Sequence, residues 1–174
     1  MITLDTYDAI GRSYSTRWQP DPRLVARLDA LIGDSTVLNV GAGMGSYEPV
    51  RSGVVAVEPS TVMLSQRLPS AAPAVRAVAE PLPFQDQAFD VVLAILTVHH
   101  WNDHRRGLEE CVRVARDRVV ILTWDPDAHG FWLVQDYFPE RLDIDRRIFP
   151  PVELFSAFEQ ALPHSVAGER RSAA

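Results

Sequence analysis

The strongest constraint on this chain is a set of five short aliphatic runs that do not alternate with polar residues, at 36–40, 54–57, 75–79, 89–96 and 119–124. A strand with one wet face alternates apolar and polar side chains. A strand without alternation is buried on both faces, as in a parallel sheet covered by helices. Between the runs the apolar spacing turns helical. Leu24, Val25, Leu28, Leu31 and Ile32 recur at helical intervals between Pro22 and a stop at Gly33. Ser60 is placed to cap a segment carrying Val62, Met63 and Leu64, and Leu108, Cys111, Val112 and Ala115 form one stripe within 103–115. Two more helical patches are expected, at 130–138 and from Pro150-Pro151 to Leu162. Strand and helix alternate, which predicts a doubly wound α/β sheet. With 174 residues, 1–174 reads as a single domain.

Composition narrows the function. Apolar residues make up 47% and the net charge is -6, so a core can be filled but no basic field exists to attract phosphate backbones or anionic lipid. Nucleic acid and membrane are therefore not expected as partners. All 17 basic residues are arginine, which excludes Schiff-base and phosphate-loop lysine chemistry. The lone Cys111 has no partner for an internal disulfide, and no N-terminal stretch joins positive charge to a long apolar run. The expected location is cytoplasmic.

The first strand runs into Asn39-Val40-Gly41-Ala42-Gly43-Met44-Gly45-Ser46, with glycine at every second position where a sheet is expected to turn into a helix. Such a loop lets a ligand approach the backbone, at the turn where open α/β sheets bind ligands. The second strand ends in Glu58, a carboxylate able to take two hydrogen bonds from adjacent ribose hydroxyls. The dinucleotide fingerprint G-x-G-x-x-G would need glycine at 46, where this chain has Ser46, so the spacing favours another nucleoside.

VLNVGAGMGSYE (37–48), VAVEPSTVM (55–63), AEPLPF (79–84), FDVVLAILTVHHW (89–101) and EECVRVARD (109–117), in this order and spacing, resemble the class I S-adenosylmethionine-dependent methyltransferases, particularly the small-molecule, quinone-biosynthesis-like group. The resemblance implies a Rossmann-like, mostly parallel sheet of order 3-2-1-4-5 and S-adenosylmethionine as cofactor. It implies that Gly41, Gly43 and Gly45 pass under the methionine part and that Glu58 grips the ribose. Pro59 and Met63 would pack near the adenine, Ala79 would offer its N–H to the adenine edge, and Leu96 and Thr97 would border the sulfonium. His99, His100 and Trp101 would shape the substrate side. Two positions depart from the family: Asn39 replaces an acidic residue and keeps a hydrogen-bonding oxygen, and Val78 replaces an aspartate facing the adenine amino group, leaving Glu80 as its substitute.

Methyl transfer from a sulfonium is an in-line displacement in which alignment supplies most of the acceleration. If the acceptor must lose a proton, His100 or His99 is the candidate catalytic base; successive strand side chains face opposite ways, which favours one of the two, His100. A metal site built on His99, His100 and His104 is not expected, because Asn102 and Asp103 look like helix caps. For residues 1–20 two readings stand, a lid in which Tyr14, Arg17 and Trp18 close over the cofactor and Arg17 meets its carboxylate, or a helix packed outside. The terminal antiparallel strand pair usual in the family is not evident after 124, which would leave the fifth strand as an apolar edge inviting self-association. The rival function is a non-catalytic, nucleoside-binding or partner-dependent subunit of the same fold.

Overall fold

A computed structural model describes residues 20–127 and 137–159. Five strands, β1 (Val37–Val40), β2 (Val54–Val57), β3 (Ala74–Val75), β4 (Phe89–Ile95) and β5 (Ala115–Leu122), form one all-parallel sheet in the order β3-β2-β1-β4-β5. The expected architecture and strand order are both present. Val37 at the start of β1 lies opposite Val54 on one side and Val91 on the other, so β1 is the central strand and all four of its residues are buried.

The absence of alternation has its expected cause. Leu38, Val40, Val57 and Val92 point to one face, where Cys111 and Val114 of α3 (His104–Val114) close the core. Val37, Val54, Val91, Leu93 and Ile95 point to the other, against Leu28 and Ile32 of α1 (Pro22–Ile32). Each helix starts where a carboxylate caps it: the Asp21 side chain accepts from the Arg23 N–H and the Asp103 side chain from the Arg106 N–H. The short α2 (Thr61–Ser65) is capped by Ser60, whose Oγ accepts from Met63 N at 3.2 Å. The Cys111 thiol is fully buried, and burial pushes its pKa up, consistent with a packing residue. α4 (Pro139–Ile148) and α5 (Val152–Glu159) follow the sheet.

Three expectations need correction. The glycine loop does not lead into a helix: residues 41–53 join β1 to β2 by turns alone. Gly41, Gly43, Gly45 and Gly53 all have positive φ and Pro49 interrupts what lies between, leaving no room for even a short helix. β3 is only two residues long, because the chain leaves the sheet after Val75 and 77–79 turn to line a cavity. β5 begins four residues earlier than its apolar run: Arg116, Asp117 and Arg118 belong to it, with Arg116 paired to Asp90 and Arg118 donating to the Leu31 carbonyl. The last helix is described only to 159, and most of the patch expected at 130–138 lies outside the described residues, as do Tyr14, Arg17 and Trp18. Among the described residues β5 borders the sheet, and no helix is long and apolar enough to cross a membrane.

Candidate active site

A cavity of about 440 Å³ opens at the C-terminal ends of β1, β2 and β4, where the strand order changes direction about β1. This is the ligand position of open α/β sheets, and the volume falls in the range of small-molecule pockets. The glycine loop forms its floor. Gly41 N and Ala42 N both donate to the Val57 carbonyl, at 2.8 and 3.0 Å, which folds the loop back over β2. Gly41 has φ +68°, and a Cβ there would overlap the Thr97 side chain, so only glycine fits. Thr97 is brought there by Leu96, which ends β4 at φ +53°, a left-handed backbone costing a residue with a Cβ about 1–2 kcal/mol.

Glu58 is 6% exposed at the tip of β2. Its Oε2 accepts from Gly43 N at 2.8 Å and its Oε1 from Ser60 N at 2.9 Å, so one carboxylate joins the glycine loop to the start of α2. Pro59, Ser60 and the buried Met63 complete this wall. Opposite, Ala79 and Glu80 are fixed from behind. Leu82 N donates to Glu110 of α3 at 2.8 Å, and Arg113 spans Glu110, Asp86 and the carbonyls of Leu82 and Phe84. Neighbouring Arg113 holds the Glu110 carboxyl below its ordinary range. Glu80 lines the cavity while its Oε1 accepts from Asp103 N at 3.0 Å.

At the far end, residues 98–100 form a single 3₁₀ turn that separates the two histidines. His100 faces the cavity. His99 does not line it; its ring lies 3.6 Å from that of His100 and 4.5 Å from Phe149, centroid to centroid. Burial holds both imidazoles down to about 4, with the neighbouring imidazole of His104 lowering His99 further and that of His99 lowering His100 further. Both are neutral at pH 7. Trp101 also faces the cavity, its ring packed so tightly on Gly107 of α3 that a Cβ there would overlap it.

Of the residues singled out in the sequence, Asn39, Gly41, Gly43, Glu58, Pro59, Met63, Ala79, Glu80, Leu96, Thr97 and His100 line this one cavity. Gly45 does not: it turns toward Glu48 and Arg67. Tyr14 and Arg17 lie outside the described residues. Sequence reasoning missed Ser60 and Tyr47 in the lining, and it missed the Glu110–Arg113 support, whose only sequence signal was an i,i+3 charge pair on an otherwise apolar helix stripe. Among the described residues no cluster of three His, Cys, Asp or Glu is placed to hold a metal ion.

Residues 38–123, the stretch from β1 through β5 that builds this cavity, match the sequence profile of a methyltransferase domain family. The chain belongs to the class I S-adenosylmethionine-dependent methyltransferases. Chains similar to it are found among solved structures and curated proteins alike. An Anabaena variabilis protein provisionally described as a methyltransferase of an antibiotic biosynthesis pathway shares 32% identity and a TM-score of 0.69, over 82% of this chain and 61% of that one. Two tRNA (carboxymethyluridine(34)-5-O)-methyltransferases are similar in sequence. That of Arabidopsis thaliana is 26% identical over 76% of this chain and 35% of its own length, and that of Schizosaccharomyces pombe 29% identical over 65% and 50%. The chain thus spans between a third and a half of these curated methyltransferases.

Proposed function

We propose that this chain transfers a methyl group from S-adenosylmethionine to a small-molecule acceptor. The observation that carries the reading is the cradle itself: a side-chain-free loop at Gly41 and Gly43, with the Glu58 carboxylate at the adjoining strand tip, facing one cavity. The residues present suit the cofactor. Glu58 offers carboxylate oxygens to ribose hydroxyls, and Met63 and Pro59 supply an apolar wall. Ala79 lines the same space, while Leu96 and Thr97 close the loop end. When bound, S-adenosylmethionine supplies a methyl group on a sulfonium that leaves as a neutral thioether, so the protein's task is alignment.

His100 serves this chemistry as a neutral hydrogen-bonding group that orients the acceptor. A base acting at neutral pH needs a pKa near 7, and burial has moved this imidazole to about 4. The charged side chains lining the cavity, Glu58 and Glu80, are both acidic, which together with the net charge of -6 supports a neutral or cationic small molecule over a polyanion. A second reading, methylation of RNA, is favoured by the two curated relatives named for tRNA.

Calorimetry with S-adenosylmethionine and S-adenosylhomocysteine tests the cofactor assignment; binding of NAD and of neither sulfur compound overturns it. Incubation with methyl-labelled S-adenosylmethionine, a metabolite extract and total tRNA then separates the acceptors. Label in the small-molecule fraction is expected. Label confined to RNA overturns the small-molecule reading, and binding without transfer to either fraction selects the non-catalytic subunit.

A further inference from the structure

Where a βαβ crossover would set a helix behind the glycine loop, this chain has turns, and a buried ion pair occupies the place. Arg67, just beyond α2, and Glu48, in the β1–β2 connection, have side chains only 7% and 4% exposed. Arg67 Nη2 donates to both Glu48 oxygens, at 2.7 and 2.8 Å, and to the Ala72 carbonyl at 2.9 Å. Its Nη1 donates to the Gly43 carbonyl at 3.2 Å. Glu48 in turn accepts from Ala72 N at 2.8 Å and from the Asn39 amide at 3.4 Å.

Gly43 is therefore held at both ends of its residue by opposite charges: its N–H by Glu58 and its C=O by Arg67. Gly45 closes over the same pair, since a Cβ there would sit 3.4 Å from Arg67 Nη1 and 3.5 Å from Glu48 Oε1. Yet neither Arg67 nor Glu48 lines the cavity. A buried pair of this kind contributes little to net stability against an apolar substitute, because both charges were taken out of water. What it supplies is geometry: a planar guanidinium fork holds its three acceptor groups in fixed relative positions, whereas a lysine ammonium is a point charge on a flexible stem.

We infer that Arg67 and Glu48 are positioning residues for the cofactor loop, an ionic brace standing where the crossover helix is missing and setting the Gly41–Gly45 backbone for the cofactor without touching it. This rests on the cofactor reading above.

The test measures S-adenosylhomocysteine affinity by calorimetry and amide hydrogen exchange of the 41–46 segment without ligand, in Arg67→Met, Arg67→Lys and Glu48→Gln. Phe89→Leu, a core truncation at the start of β4, the strand end away from the cavity, where the ring packs on Phe84, serves as a control that lowers stability without touching the loop or the ion pair. The brace predicts affinity about tenfold weaker or more in Arg67→Met and a smaller loss in Arg67→Lys. Exchange at 41–46 should be faster than in Phe89→Leu brought to equal stability. If Arg67→Met does not fold, Arg67→Lys and Glu48→Gln carry the comparison. Folded variants that bind within about twofold of wild type and exchange like the control overturn the brace. A wild-type chain that binds neither sulfur compound, but whose loop still loosens in Arg67→Met, overturns the cofactor reading and leaves the brace standing.

Discussion

Replacing Glu58 with glutamine separates charge from shape at the point where the glycine loop is tied to the start of α2. The carboxylate accepts from two backbone donors through different oxygens, Gly43 N at 2.8 Å and Ser60 N at 2.9 Å. An amide keeps one acceptor and turns an NH₂ group toward the other donor. One charge-assisted bond of about 1.5–3 kcal/mol is lost, and the group facing the amide is left unsatisfied in a site 6% exposed. For a domain of this size each kcal/mol moves the melting point by about 2–4 °C, so Glu58→Gln should melt about 3–12 °C lower. Cofactor affinity should fall in addition, because the ribose hydroxyls lose a charged acceptor: roughly tenfold to a hundredfold for S-adenosylhomocysteine. Thermal denaturation followed by calorimetry on the folded variant measures both. A variant that melts lower but binds as tightly as wild type would show that Glu58 ties loop to helix and does not hold the cofactor; one unchanged in both would refute the bonding described here.

Three further outcomes are expected. Stability should fall as pH drops from about 6.5 toward 4, because His99 and His100 resist protonation in the fold while the unfolded chain takes up protons in that window. Denaturant titrations across that range should show a shallower slope in a His99→Gln, His100→Gln double variant, and an equal slope contradicts the assignment. Gly107→Ala, which in an ordinary helix interior gains about 0.5–1 kcal/mol, should here lower the melting point because the new methyl meets the Trp101 ring; a higher melting point refutes the packing. Arg113→Met should cost about 1–3 kcal/mol by stranding the buried Glu110 carboxylate, and Glu110→Leu added to it should recover part of the loss in chemical denaturation.

The sheet was legible because two-sided burial leaves a mark in sequence: VLNV and VVAV carry almost no polar interruption, and their positions order themselves around the glycine loop. Glu58 was legible for the same reason, as a charge ending an apolar run. The polar start of β5 was not, because at the border of a sheet Arg116 and Arg118 find partners in Asp90 and a helix carbonyl, and hydrophobicity does not register such pairing. Nor was the bond between positions 48 and 67. Each reads alone as a solvated charge, and only the crowding of Gly41, Gly43, Gly45, Pro49 and Gly53 into one connection hinted that no helix would form there. The two neighbouring histidines were separable only in part: strand alternation suggested one of them for the pocket, whereas a 3₁₀ turn is what divides them.

The helix-free link between β1 and β2 also bears on the order in which the chain assembles. Val37 must find Val54 a short way along the chain but Val91 much further on. The longer closure costs about 1 kcal/mol more in chain entropy. With no helix to nucleate first, the β1–β2 hinge and its glycine loop make a local unit able to form before β4 docks, and α2 with Arg67 follows immediately in sequence. The floor of the cavity is thus among the earliest parts of the molecule that can become native. Substitutions at Val37 or Val54 should slow folding more than substitutions at Leu93 of equal equilibrium cost, a ratio that stopped-flow refolding of the two sets measures directly.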